Sequence, residues 1–415
     1  MPLDESSAEA GAWLVGPGEV ALRDSDRLAP LLDWPARAAR RLSSDDRAAL
    51  TTWAAAYGAL FVVSWAAAWT FRTTTAHAPL TGAFQHWDAN WLQQIAQFGY
   101  FGHHLSPASE AFFPGYPLTL ATVHLALRDW VLTELVVSGV AGCFAVVSLA
   151  RLGGRRAVGY LLAAPAAVFL LVGYSEGLFL ALAIPAWSAA RRGRWRSAAV
   201  LAGLAGLVRP DALFLIPALA VMALTGNVDP AGATGPDAAA PPVKAPLVAR
   251  FGHAAIVCCA LAGPAAYISY LRVTTGSWRA WFHAQQVGWD LHLTTPAKAL
   301  RLTWWAAFEH PFSAAYGFEF QLELAAMAAM VLAFVCFAAW RRWPEAVYCG
   351  LAVVALGTST WYQTCPRTLL LLFPVWIALA RLELRWRWTR YAYGAVSAPL
   401  AVVVALLYLS GQWAG

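Results

Sequence analysis

Four short stretches carry ionisable side chains in otherwise apolar sequence. The first is His86-Trp87-Asp88-Ala89-Asn90-Trp91, a carboxylate between two indoles. The second is Gly173-Tyr174-Ser175-Glu176, set between two apolar runs with almost no loop. The third is Arg209-Pro210-Asp211, and the fourth is Pro366-Arg367 at the head of an apolar helix. A charge at bilayer depth is costly and faces a cavity or a partner. A carboxylate can serve as general base towards a hydroxyl. Arginines grip phosphate in a two-pronged fork and stay charged in a low dielectric. Tryptophans offer flat apolar faces that suit sugar rings as well as membrane interfaces. A base, phosphate ligands and aromatic platforms together point to transfer from a lipid-linked phosphosugar.

Each residue also has a plainer role open to it. Asp88 can cap the following helix, WLQQIAQF, and Asp211 one that opens after Pro210. Glu176 can pair with Arg209 or Arg367 for structure alone. Arg209 can snorkel to the interface, and Arg367 can touch a headgroup. The 22 tryptophans do not decide the matter, because many belong to interfacial belts. What carries weight is several such residues at one membrane depth.

The elements that must hold them are membrane helices. Of 415 residues, 60% are hydrophobic and 13% charged, against about a quarter charged in soluble proteins. The apolar excess runs along the whole chain. That excludes a water-soluble enzyme and a soluble domain on one anchor. The net charge of +6 reflects arginine in cytoplasmic loops, not nucleic-acid binding. Lys244 and Lys298 are the only lysines, which with the abundant alanine suggests a GC-rich bacterial genome. The six cysteines form no CxxC or Cys/His metal spacing and read as small core residues. No N-terminal signal peptide is visible, since the first long apolar run begins near Ala48.

Apolar runs fall at about 48–71, 130–150, 157–173, 175–190, 197–208, 211–225, 251–271, 323–340, 344–360, 366–381 and 391–411. They predict an all-α polytopic membrane protein with about eleven crossings. Placing the N-terminus in the cytoplasm puts 21 of the 29 basic residues on that side, as the positive-inside rule requires. The domains expected are a cytoplasmic segment over 1–47, a transmembrane catalytic domain over 48–381, and a basic loop with a last crossing over 382–415. The catalytic domain carries large external loops at 72–129 and 272–322 and a flexible cytoplasmic linker at 226–250. Run 111–127 is expected at the outer surface or dipping into the membrane. Runs 197–208 and 211–225 are expected to be two short helices meeting near the outer face, broken by Pro210. All four charged stretches then lie on the non-cytoplasmic face.

The same residues resemble the PIG-V type mannosyltransferases, the family of the second GPI mannosyltransferase of eukaryotes and of many bacterial relatives. The matching stretches are His86 to Trp91, Ile95-Ala96 with Gly99-Tyr100, and Ala111 to Pro117 (AFFPGYP). Tyr174 to Phe179 (YSEGLF), Gly206 to Asp211, Phe282 to Gln285 with Trp289, and Pro366-Arg367 with Phe373-Pro374 follow in order. Together they span about 84–374.

The resemblance implies a GT-C fold, with a seven-helix module and a large first external loop holding a catalytic Asp. It implies an inverting glycosyltransferase that moves a sugar, mannose by family, from a polyprenyl-phosphate donor to an acceptor hydroxyl. Asp88 is then the catalytic base, and Arg209 and Arg367 meet the donor phosphate. His86, Trp87, Trp91, Tyr174, Glu176, His283 and Gln285 line the substrate site. No metal and no cofactor beyond the lipid-linked donor is expected. The partners implied are that donor, a lipid, glycan or protein acceptor, and membrane lipids. The place implied is the bacterial cytoplasmic membrane, with the site on its external face. Departures from the family pattern are Leu92, Gly115, Gly177, Pro210-Asp211 and Thr368. They surround the expected pocket and bear on sugar and acceptor identity. The competing reading is a transporter or flippase for a lipid-linked sugar, which calls for polar groups at several depths rather than at one face.

Overall fold

The computed structural model describes residues 42–70, 83–102, 108–226, 246–310 and 313–413. Among these residues no strand forms, and one isolated bridge joins Leu293 to Ser359. In chain order the helices are α1 (Ser44–Thr70), α2 (Asp88–Phe98), α3 (Gly115–Leu127), α4 (Trp130–Gly153), α5 (Arg155–Leu162) and α6 (Val168–Leu171). Next come α7 (Glu176–Arg191), α8 (Trp195–Val208), α9 (Ala212–Thr225), α10 (Leu247–Cys258), α11 (Ala262–Thr275) and α12 (Ala280–Trp289). The last are α13 (Pro296–Phe308), α14 (Ala314–Ala339), α15 (Trp343–Gly357), α16 (Cys365–Leu371), α17 (Phe373–Arg385) and α18 (Trp388–Leu409). Most of the expected 1–47 segment, and residues 227–245 of the expected linker, lie outside the described residues.

Five helices are long and apolar enough to cross a membrane: Ser44–Ala66, Trp130–Gly153, Leu247–Thr275, Ala314–Ala339 and Trp388–Leu409. Two bent pairs bring the number to seven. Pro165–Leu171 meets Glu176–Arg191 at 94°, and Cys365–Leu371 meets Phe373–Arg385 at 69°. Helices α8, α9 and α15 are apolar but shorter. The expected run 157–173 is therefore not one straight helix. It breaks after Leu162 and resumes as a 3-10 turn at Pro165, where the ring removes a backbone donor. Run 366–381 likewise bends at Leu372, just before Pro374.

Of the two large segments expected to be external, the first holds α2 and α3 and the second holds α12 and α13. Helix α3 has 13 residues, roughly 20 Å at 1.5 Å per residue, too short to span alone. Its first residue, Gly115, lies against α8. A Cβ there would come within 2.8 Å of the Leu207 carbonyl oxygen, so the glycine departure at 115 matches a close helix approach.

The ends of α1 and α4 are tied by charge. Ser43 and Asp46 exchange backbone-to-side-chain hydrogen bonds of 3.0 Å, opening α1. Asp46 also accepts two hydrogen bonds of 3.0 Å from Arg151, near the end of α4. Between these ends, Trp53 lies over Gly142 and donates to the Gly139 carbonyl at 3.1 Å. A Cβ at Gly142 would overlap the Trp53 ring. Gly142→Val is therefore expected to destabilise the protein by about 1–3 kcal/mol through overpacking, read as a lower midpoint of thermal unfolding in detergent. An unchanged midpoint contradicts this packing.

Candidate active site

Four helix beginnings converge on one place. Asp88 is the first residue of α2, and Glu176 is the first of α7. Asp211 precedes α9, and Arg367 is the third residue of α16. Carboxylates at the start of a helix sit at the positive end of its dipole. The breaks noted above make the convergence possible: the chain turns sharply before Glu176 and again around Arg209-Pro210-Asp211.

The side chains form one alternating chain of charge. Asp88 Oδ2 accepts from Arg367 Nη1 at 2.7 Å. Arg367 Nε donates to Glu176 Oε1, also at 2.7 Å. The same Glu176 oxygen accepts from Arg209 Nη1 at 2.8 Å. Arg209 Nε then donates to Asp211 Oδ2 at 2.9 Å, and its Nη1 reaches Ser175 Oγ at 3.1 Å. The Glu176 side chain is 0% exposed, that of Arg367 6% and that of Asp88 18%. Burial without a partner is costly for any of these charges, and the alternation offsets part of that cost. The Arg367 guanidinium carbon also lies 4.8 Å from the Tyr174 ring centre and 5.1 Å from that of Phe169. Aromatic faces favour the cation there.

Beside this chain lies a cavity of about 470 Å³. Asp88, Arg209, Asp211 and Arg367 line it, together with Gln363, Thr364 and Thr368 from around the start of α16. Helix α12 supplies Trp281, Gln285 and Trp289, spaced four apart and so on one helix face. Phe112 and Phe214 add further aromatic surface. Polar groups at one end and flat apolar faces at the other suit a molecule with both a charged and a ring-like part. Among the described residues, no three His, Cys, Asp or Glu side chains come together to hold a metal ion.

Of the residues nominated from sequence, Asp88, Arg209, Arg367 and Gln285 border the cavity. Glu176 is one layer beneath, as the shared anion of both arginines. Tyr174 lies under Arg367, and its hydroxyl donates to the His86 carbonyl at 3.4 Å. The His86 ring faces away, 5.8 Å from the Tyr408 ring centre. Burial there pushes its protonation below the usual histidine range, opposed by a backbone hydrogen bond to Leu409. Trp87 has φ of 53°, is 40% exposed and donates its indole N–H to the Gln412 carbonyl at 3.0 Å. Trp91 packs behind the aromatic wall, 5.3 Å from Trp289 and 5.4 Å from Phe112. His283 is exposed and does not border the cavity.

Three features lay beyond the expected list. Asp211 occupies the N-cap position of α9, yet its side chain makes no capping bond; it turns to Arg209 instead. Trp281 and Trp289 carry the wall, and their spacing with Gln285 was the signal. Trp413, near the end of the chain, also borders the cavity, and nothing in its local sequence marks it.

No family model matches the chain. Over 153 residues it is 36% identical to the GPI alpha-1,6-mannosyltransferase 2 of Rattus norvegicus. Over the same length it is 33% identical to the proteins of that name from Homo sapiens and Mus musculus. The likeness is to a mannosyltransferase. Each match covers 32% of this chain and 30% of the relative, so the alignment spans about a third of the length of these relatives.

Glu176 holds two buried guanidinium groups together. Glu176→Ala leaves both without their shared anion, at a cost of about 3–5 kcal/mol. The expected outcome is a large loss of folded protein on size-exclusion in detergent. A variant that stays as thermostable as the parent contradicts this role.

Proposed function

We propose that this protein is a membrane glycosyltransferase that moves mannose from a polyprenyl-phosphate donor to an acceptor hydroxyl, with inversion at the anomeric carbon. The observation that carries the reading is the placing of Asp88: at the edge of an aromatic-walled cavity, hydrogen-bonded to a buried arginine. The likeness to mannosyltransferases over part of the chain supports the same reaction class. The site belongs to the non-cytoplasmic face, by the distribution of basic residues in the loops.

The chemistry follows from the alternating charges. In the resting arrangement Arg367 Nη1 holds Asp88 Oδ2 in a hydrogen bond of 2.7 Å, so that oxygen is occupied. A donor phosphate competes for the same guanidinium. As Arg367 Nη1 turns towards phosphate oxygens, Asp88 Oδ2 is released and accepts the proton of the acceptor hydroxyl. The hydroxyl oxygen bonds to the anomeric carbon, and the bond from that carbon to the phosphate oxygen breaks. The phosphate leaves with the electron pair, its charge met by Arg367 and Arg209. A single displacement of this kind inverts the anomeric centre. Glu176 keeps its bonds to Arg367 Nε and Arg209 Nη1 while Arg367 Nη1 changes partner, and Gln285 with the tryptophans of α12 orients the sugar.

The reading is tested with Asp88→Asn in membranes supplied with polyprenyl-phosphate mannose. General-base catalysis contributes about 10²–10⁴-fold, so mannose transfer is expected to fall by at least about a hundredfold. The variant keeps its shape and is expected to keep its thermal stability. Transfer at near the parent rate from a stable Asp88→Asn protein removes Asp88 from the reaction.

A further inference from the structure

We propose that Asp211 and Arg209 together read a vicinal diol of the sugar in this cavity. One hydroxyl donates to Asp211 Oδ1, and its neighbour accepts from Arg209 Nη2. The inference rests on the sugar-transfer reading given above and adds the residues that recognise the ring.

Charge balance is the first reason. Asp88 and Glu176 already offset Arg209 and Arg367, so the network has no need of a third carboxylate. Asp211 is nonetheless there, with its side chain 6% exposed. A buried carboxylate that is surplus to neutrality calls for another task. Capping is not that task, because the side chain makes no bond to the first turn of α9.

The second reason is geometry. Arg209 Nε holds Asp211 Oδ2 at 2.9 Å, and Nη1 is taken by Glu176 and Ser175. A guanidinium is a flat fork, with Nε and Nη2 on one edge. Among the described residues, neither Arg209 Nη2 nor Asp211 Oδ1 has a hydrogen-bond partner. An unused donor and an unused acceptor thus belong to one ion pair, and both residues border the cavity. Adjacent ring hydroxyls present the complementary pattern, one as donor and one as acceptor. Phe214, one turn further along α9, borders the same cavity and offers an apolar surface to the ring.

The third reason is division of labour. Asp88 hangs from Arg367, and Asp211 from Arg209, on opposite sides of Glu176. One arm carries the base and the other arm is left to recognise hydroxyls.

The diol can belong to the donor sugar or to an acceptor sugar, and two probe series separate them. The full chain in detergent is titrated with farnesyl phosphoryl mannose and its single-deoxy analogues, and in parallel with methyl mannoside and its single-deoxy analogues. Wild-type protein is expected to bind two neighbouring deoxy analogues of one series about tenfold or more weakly than their parent, as befits hydrogen bonds to charged groups. In Asp211→Ala the penalty disappears for the hydroxyl that donated to Asp211. In Asp211→Asn, which keeps the shape, it shrinks but persists, and this variant serves if the alanine form does not fold. The series that responds names the source of the diol. Deoxy penalties unchanged in a folded Asp211 variant overturn the assignment and leave the transferase reading intact. Wild-type protein that binds neither parent probe overturns both.

Discussion

One carboxylate oxygen, Glu176 Oε1, accepts from both Arg367 and Arg209. Everything else at the site hangs from that shared atom. Each arginine then has a second anion further out, Asp88 on one side and Asp211 on the other. Without Glu176 the two guanidinium groups would repel in a medium that screens them poorly. With it, five charges from four separate segments lie in a line beside the cavity. Two charge-assisted hydrogen bonds at Oε1 offset part of the cost of burying Glu176, whose Oε2 has no hydrogen-bond partner among the described residues, and they hold the two arginines that support the outer carboxylates.

The four residues of the inner network were legible because charge is scarce here. Asp88, Glu176, Arg209 and Arg367 stand out in apolar sequence, and each helix beginning near them was visible as a break or a proline. What was not legible was direction. His86 and Trp87 flank Asp88 in sequence, yet the backbone turns at Trp87 and sends both away from the cavity. His283 is two residues from Gln285, which on a helix points it to another face. Asp211 sits where a cap belongs, and sequence has no means of showing that an arginine two residues earlier would claim its side chain.

Helix continuity was the other limit. Hydropathy reports that a run is apolar, not that it is straight. The run over 157–173 breaks after Leu162, the chain turns again between Leu171 and Glu176, and the run over 366–381 bends soon after Arg367. Prolines at 165 and 374 mark both places, but a proline in a membrane helix is often accommodated by its neighbours. Tertiary contacts decide between a kink and a turn. Here the turns serve the site, since a straight helix would carry Glu176 or Arg367 past the point where they meet.

The pairings at the centre span long stretches of chain: 191 residues separate Arg367 from Glu176, and 279 separate it from Asp88. Proteins are synthesised from the N-terminus. Glu176 and Arg209, only 33 residues apart, can meet early. Asp88 must wait for its arginine until α16 emerges, 279 residues later. The order of synthesis therefore sets the order of assembly: a neutral inner pair first, then a late-arriving cation that brings the Asp88 carboxylate into register. A nascent chain that stops short of residue 367 contains most of the membrane domain but no finished centre.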